Sequence, residues 1–175
     1  MIDQTYRYLD TEADRQRLLA DIREVRHTVV QMIEHVPEDQ WYEPRYHGWS
    51  LAGMLGHLQF MDSANLLLIK VGLLGISIPI PTQTLNSFNN FLSRVFQKRI
   101  VKTSIQGIQR REVPLEEFIM NLPIDKFTRQ VFYPPMGKNL TVEQAVQVLF
   151  LHHWQEHLQT MQEVEGIQPR DSSLN

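Results

Sequence analysis

The sequence contains no cysteine. It can therefore form no disulfide, supply no thiolate nucleophile and build no zinc finger, and any metal must rest on His, Asp, Glu, Asn or water. A basic excess is also missing: the net charge is −3 and the pI near 6.1, so the chain offers no overall positive charge for nucleic-acid phosphates and no nucleic-acid partner is expected. No apolar run is long enough to cross a bilayer. The most hydrophobic stretch, Leu66 to Ile80, is interrupted by Lys70 and falls short of the roughly 18 residues a span requires. It reads as a buried helix end running into a loop, with no membrane partner. Met1-Ile2-Asp3-Gln4-Thr5 lacks the apolar core of a secretory signal, which makes a cytoplasmic location the default expectation. Internal repeats, low-complexity segments and extended runs of alternating strand character are absent too.

What remains is a chain of 175 residues, 42% apolar and 21% charged, a composition that fits one globular domain with a substantial core. Thr11 followed by Glu12 and Asp14 reads as a helix N-cap with an acidic first turn. Leu18, Ile22, Val25, Val29, Met32 and Val36 then recur at bundle-helix spacing, predicting a first helix that ends before Pro37. Glu24-Val25-Arg26-His27 matches the Glu-x-x-His of di-iron bundles, but its phase puts His27 opposite the apolar stripe, as a surface histidine. After a loop to Gly48, Ser50 caps a second helix, Leu51 to about Leu74, with Leu51, Met54, Leu58, Met61, Asn65 and Leu68 as its inner line and His57 on the flank. Asp62 and Asn65 lie near that inward face.

A third helix is predicted over Leu85 to about Gln109, with Phe88, Leu92, Val95 and Phe96 facing in. Arg94, Lys98, Arg99, Arg110 and Arg111 form a solvated basic face, or alternatively an anion-binding rim. Pro114 suits the start of a short helix, Leu115 to Leu122. Ile124 to Asn139 reads as a long irregular segment. Thr141-Val142-Glu143-Gln144 is a capping box opening the last long helix, Gly166 a plausible terminator, and the remaining tail flexible. The expectation is an all-α four-helix bundle in a single domain, residues 1–175, with its core over about 11–166.

The chemistry concentrates in the last helix. His153 and His157 are four residues apart, so both imidazoles leave one face. That face carries Val142, Val146, Leu149, Phe150, Met161 and Val164, which predicts that the histidines point into the interior. Unpaired polar groups there would each cost roughly 1–3 kcal/mol, and a divalent metal satisfies both at once. His153-Trp154-Gln155-Glu156-His157 also spells the H-x-x-E-H of inverted zinc metallopeptidases, with Glu156 as base. That family's third ligand is a distant downstream glutamate, whereas 18 residues follow His157 here, and Glu156 sits about 100° around the helix from His157. Glu156 reads instead as a solvent-facing carboxylate or a partner orienting an imidazole. His152 is at best a neighbour of the site. Trp49, Trp154 and Tyr133 are packing aromatics or pocket walls.

Trp49-Ser50-Leu51 opening a helix that carries His57-Leu58, together with His153-x-x-x-His157 on the last helix, resembles the DinB/YfiT-like metal-binding four-helix-bundle superfamily over nearly the whole chain. The resemblance implies that a divalent metal is held by His57, His153 and His157. Three neutral imidazoles leave a coordination position open for water or substrate, the pattern of a catalytic site. Zinc or nickel is the first expectation, while imidazole also accepts copper and iron, so the ligand set does not fix the metal. By the same resemblance the activity on a small-molecule substrate is thiol S-transfer with a low-molecular-weight thiol, or maleylpyruvate isomerisation; a hydrolase-like reaction is the alternative that metal-bound water would allow. The alternative is a non-catalytic metal- or ligand-binding bundle acting as a homodimer.

Overall fold

The computed structural model describes residues 6–167; the tail from Gln168 lies outside the described residues. Helix α1 (Glu12–Gln31) begins at a capping box: the Thr11 hydroxyl accepts from the Asp14 amide and the Asp14 carboxylate accepts from the Thr11 amide, both at 3.1 Å. All six apolar residues of its predicted stripe are buried. A 3₁₀ turn over Met32–Glu34 closes the helix before Pro37.

Helix α2 (Leu51–Leu73) is capped by Ser50, whose hydroxyl accepts from the Gly53 amide at 3.0 Å. Every residue from Leu51 to Gln59 is buried, so this helix is surrounded and has no single core face. Further along, Asp62, Asn65 and Ile69 are buried, while Met61 and Leu68 of the predicted inner line are only half-buried. The C-terminal end departs further from expectation: Leu67, Leu74, Ile76 and Ile78 are exposed. That end is nonetheless covered closely at Gly72, where an added Cβ would meet Val131 Cγ1 at 2.6 Å.

The predicted third helix is two helices, α3 (Thr82–Phe96) and α4 (Val101–Asn121). The break docks on the start of α2: the Ser50 hydroxyl donates to the Gln97 carbonyl at 3.0 Å, and Gln97 Oε1 accepts from the Ser50 amide at 3.3 Å. Helix α3 packs mainly on α2, which leaves Phe88 and Val95 exposed while Leu92 and Phe96 are buried. Helix α4 runs straight through Pro114. The proline removes the bond to the carbonyl of Arg110, an exposed residue whose oxygen water can reach, and burial of Leu115 and Ile119 continues the helix beyond it.

The segment after α4 is ordered, contrary to the irregular excursion expected there. A one-turn helix, α5 (Ile124–Phe127), leads into an antiparallel hairpin of β1 (Gln130–Tyr133) and β2 (Lys138–Thr141), with Val131 opposite Leu140. Both of those side chains are buried, and Gly137 takes the left-handed conformation that the tight connection needs (φ 59°). Thr141 and Gln144 then form the predicted capping box at α6 (Val142–Gln147). The chain passes through one wide π turn, Val148–His152, into α7 (His153–Glu165), which ends at left-handed Gly166. The bundle is thus α1, α2, α4 and the α6–α7 rod, with α3 added along α2.

Candidate metal centre

Helix α2 supplies His57 and α7 supplies His153 and His157. Their Nε2 atoms converge: His153 Nε2 lies 3.4 Å from that of His57 and 3.0 Å from that of His157, and one ring nitrogen from each residue falls within 4.8 Å of the others. Among the described residues this is the one His/Cys/Asp/Glu cluster with ligand spacing.

The π turn sets the aim of the pair. It admits an extra residue just before His153 and so rotates α7 relative to α6. Past it, the core line runs through fully buried Trp154 and Met161, while His153 and His157 lie beside that line, half-buried and facing α2. Val164, predicted on the inner stripe, is consequently exposed. His57, predicted on a flank, is buried because α2 is covered all around.

The loop before α2 completes one wall. Arg45 grips Glu165 of α7 with two nitrogens, at 3.1 and 2.9 Å, and the Tyr46 hydroxyl donates to the same carboxylate at 2.8 Å. A reverse turn follows in which His47 and Gly48 both have positive φ, 50° and 88°, and the Tyr46 and Trp49 backbones pair across it. This places the Trp49 ring edge-on to His57, with centroids 4.9 Å apart.

Burial holds all three imidazoles in their neutral, ligand form. It pushes His57 down to about 3, with His157 adding to the shift, and His157 down to about 4. His153 is held well below the ordinary value by burial first and by the two neighbouring rings second. Three neutral rings with converging nitrogens bring lone pairs together, an arrangement that a shared cation relieves. Tetrahedral coordination at 2.0–2.1 Å places ligand nitrogens about 3.3 Å apart, which the observed 3.0 and 3.4 Å separations match. The donor set therefore fits a divalent ion. Imidazole ligands commonly donate their second nitrogen to a protein acceptor, but none among the described residues reaches Nδ1 of His57 or His153.

The other candidates lie apart from this cluster. Glu156 is exposed, as expected for a solvent-facing carboxylate, and no hydrogen bond ties its side chain to the triad. Its charge reaches Tyr133, whose hydroxyl is raised to about 12, mainly by burial. His152 stands half-buried beside Tyr6, with ring centroids 6.0 Å apart, and His27 is exposed. Trp154 is a core residue whose Nε1 donates to Asp62 Oδ1 at 3.0 Å. The same oxygen lies 3.0 Å from Nη2 of Arg26, a fully buried cation that the sequence reading passed over. Its signal was present: Arg26 follows Ile22 by four residues and precedes Val29 by three, on the buried face of α1.

No family model and no curated protein matches the chain. Among solved structures it is similar to YfiT from Bacillus subtilis, described as a probable metal-dependent hydrolase with an unusual four-helix bundle topology. The match has a TM-score of 0.74 and 16% identity, and it covers 94% of this chain and 95% of that one. At that identity the likeness carries the architecture: the chain has the YfiT-like four-helix-bundle fold.

Proposed function

We propose that this chain is a metal-dependent enzyme acting on a small molecule, with His57, His153 and His157 as the protein ligands of a divalent ion, zinc or nickel first. The observation that carries this reading is the convergence of three neutral, enclosed imidazole nitrogens from two helices, with no carboxylate in the cluster. Held by these three imidazoles, a divalent ion would supply Lewis-acid chemistry to an exchangeable oxygen or sulfur ligand and would lower the pKa of water or a thiol. Around it the chain's own residues orient and enclose. The π turn and the Arg45/Tyr46–Glu165 clamp set α7 and the loop before α2 in register, and Trp49 walls the His57 side.

Hydrolysis, with water as the nucleophile, is the reaction we place first; the description of YfiT as a probable metal-dependent hydrolase supports it. Thiol S-transfer would take its sulfur from a low-molecular-weight cosubstrate, because the chain has no cysteine. A non-catalytic metal-binding bundle that self-associates is the second reading. The apolar end of α2, with Leu67 62% and Leu74 77% exposed, favours it.

The test is elemental analysis of protein purified without chelators, beside His57→Ala and His153→Ala/His157→Ala variants. It is followed by turnover of ester, amide and thiol-plus-electrophile panels with and without chelator. About one ion per chain, lost in both variants, and turnover that chelation abolishes and metal restores are expected. A wild type that takes up no divalent ion, or turnover indifferent to chelation and to His153→Ala, would refute the enzyme reading. A stoichiometric ion with no turnover and a concentration-dependent dimer would move the assignment to the binding bundle.

A further inference from the structure

Asp62 lies five residues beyond His57 on α2 and about 140° around it, so it faces a different space from the histidine cluster. There α1, α2, α4 and Phe150 of the π turn border a cavity of about 400 Å³, within the range of small-molecule sites. Its innermost polar group is Arg26, whose side chain is 1% exposed. The guanidinium lies over the Trp154 ring, 4.9 Å from its centroid, and Nη2 pairs with Asp62 Oδ1. That contact is an ion pair and not a hydrogen bond: Nε, Nη1 and Nη2 all lack a hydrogen-bond partner among the described residues. Buried donors in folded proteins are almost always satisfied, so a guanidinium this enclosed and this incompletely paired, lining a cavity, signals a missing acceptor.

The rest of the wall has matching chemistry. Lys70, Arg110 and Arg111 also line the cavity, and Asp62 is the one carboxylate among the lining residues, so four cations face a single anion. Glu112 acts on Arg26 and Asp62 from nearby without lining the space. Lys70 and Arg110 are exposed and Arg111 half-buried, placing them toward solvent while Arg26 sits at the base. Leu66, Leu115 and Phe150 supply apolar wall between these charges. Cations at base and mouth with hydrocarbon between them select an anionic head on an apolar body.

We infer that this cavity binds a small organic acid, its carboxylate paired with Arg26 and the basic rim and its apolar body against Leu66, Leu115 and Phe150. The site uses none of the three histidines, so it is testable on metal-free protein, and its failure would leave the metal assignment untouched.

Benzoate and octanoate are titrated calorimetrically into chelator-treated full-length protein, beside benzyl alcohol as an uncharged control and sulfate as an anion without a body. Saturable 1:1 binding of at least one of the two acids is expected, with no saturable binding of benzyl alcohol and at least tenfold weaker binding of sulfate. Arg26→Gln should weaken the acid at least tenfold. Because that change also disturbs a buried ion pair, the deciding variant is Lys70→Gln/Arg111→Gln, which leaves Arg26 and Asp62 in place and should also weaken binding at least tenfold. Absence of saturable binding of both acids, equal affinity in the double variant, or equal binding of benzyl alcohol would each overturn the inference.

Discussion

At the scale of single residues, the Arg26–Asp62 pair dominates the interior. Burial raises the Asp62 carboxyl to about 6, against the pull of Arg26 first and of the Trp154 indole second. Burial likewise lowers Arg26, against the attraction of Asp62. Breaking a buried pair from one side leaves a charge without its counterpart, which typically costs about 3–5 kcal/mol. Asp62→Ala is therefore expected to lose that much in urea unfolding, while the volume-conserving double change Arg26→Met/Asp62→Leu should stay within about 2 kcal/mol of wild type. An Asp62→Ala protein within 1 kcal/mol of wild type would mean the pair is not formed. At the triad, His153 is the central ring, within 3.4 Å of one neighbour and 3.0 Å of the other. His153→Ala should weaken zinc binding by about 100-fold or more, a loss of roughly 2.7 kcal/mol or more, measured against a competing chelator. Unchanged affinity would exclude it as a ligand.

At the scale of elements, α2 and α4 meet closely at Gly107. Gly107 lies under the Gln59 side chain, and a Cβ added there would come within 2.9 Å of Gln59 Cγ and closer still to its amide. Gln59 is itself buried, so its amide has little freedom to give way. Gly107→Ala should therefore cost about 1–3 kcal/mol. Adding Gln59→Ala should recover much of that loss, so the double variant would be more stable than the sum of the two single effects. Strict additivity in chemical denaturation would show that the two helices approach less closely than this. Element ends behave as local chemistry requires: the Thr11 cap, the Thr141 capping box and the Gly166 terminus form as predicted, and Asp14 completes a second capping box at Thr11. Element interiors do not always follow local signals. Pro114 is carried inside α4 because Ile108 before it and Leu115 and Ile119 after it are held by burial, and the α3–α4 break is held by the Ser50–Gln97 contacts.

At the scale of the whole molecule, the three enclosed imidazoles link stability to pH and, under the proposed assignment, to metal. Each of the three has a folded-state pKa depressed from an ordinary value near 6.5. Below that value the unfolded chain binds protons that the folded one refuses. Their contribution is present in full above about pH 6.5 and is lost as pH falls toward the depressed values, by up to about 1.4 kcal/mol per pH unit for each group. Asp62, raised to about 6, works in the opposite sense: its contribution is present below the unfolded carboxylate value and lost as pH rises through 6. Half-buried His152 is shifted in the sense of the triad and Glu143 in the sense of Asp62, so the lowered histidines outweigh the raised carboxylates and the net slope is unfavourable in acid. Metal-free protein is thus expected to lose about 3 kcal/mol per pH unit between pH 6 and pH 5, read as a falling urea midpoint; a flat profile would show that the rings are not enclosed. Zinc held at 100 times its Kd should add about 2.7 kcal/mol at pH 7. That gain should vanish in His153→Ala/His157→Ala, and a melting temperature raised equally in both proteins would place the ion elsewhere.

The architecture was legible because it rests on local rules. The 3.6-residue spacing on α1, the caps at Thr11, Ser50 and Thr141 and the four-residue spacing of His153 and His157 each follow from backbone geometry within one segment. From the residues alone, however, His57 belonged only to the flank of its helix, and it joined the site on the strength of family resemblance. Tertiary structure decided its burial by covering α2 on all sides. The π turn that rotates the histidine pair off the centre of the core line was likewise invisible, since periodicity analysis assumes a constant angle per residue. The hairpin at Gln130–Thr141 forms only because Val131 and Leu140 have a bundle to be buried against, and a two-strand ribbon has no comparable signal of its own. Arg26 and Asp62 lie 36 positions apart on two helices; spacing puts Asp62 near an inward face, and the sequence reading passed over Arg26. Their pairing under Trp154, and the basic cavity it opens onto, depend on how α1, α2 and the last helix meet in space, which no spacing within a single helix encodes.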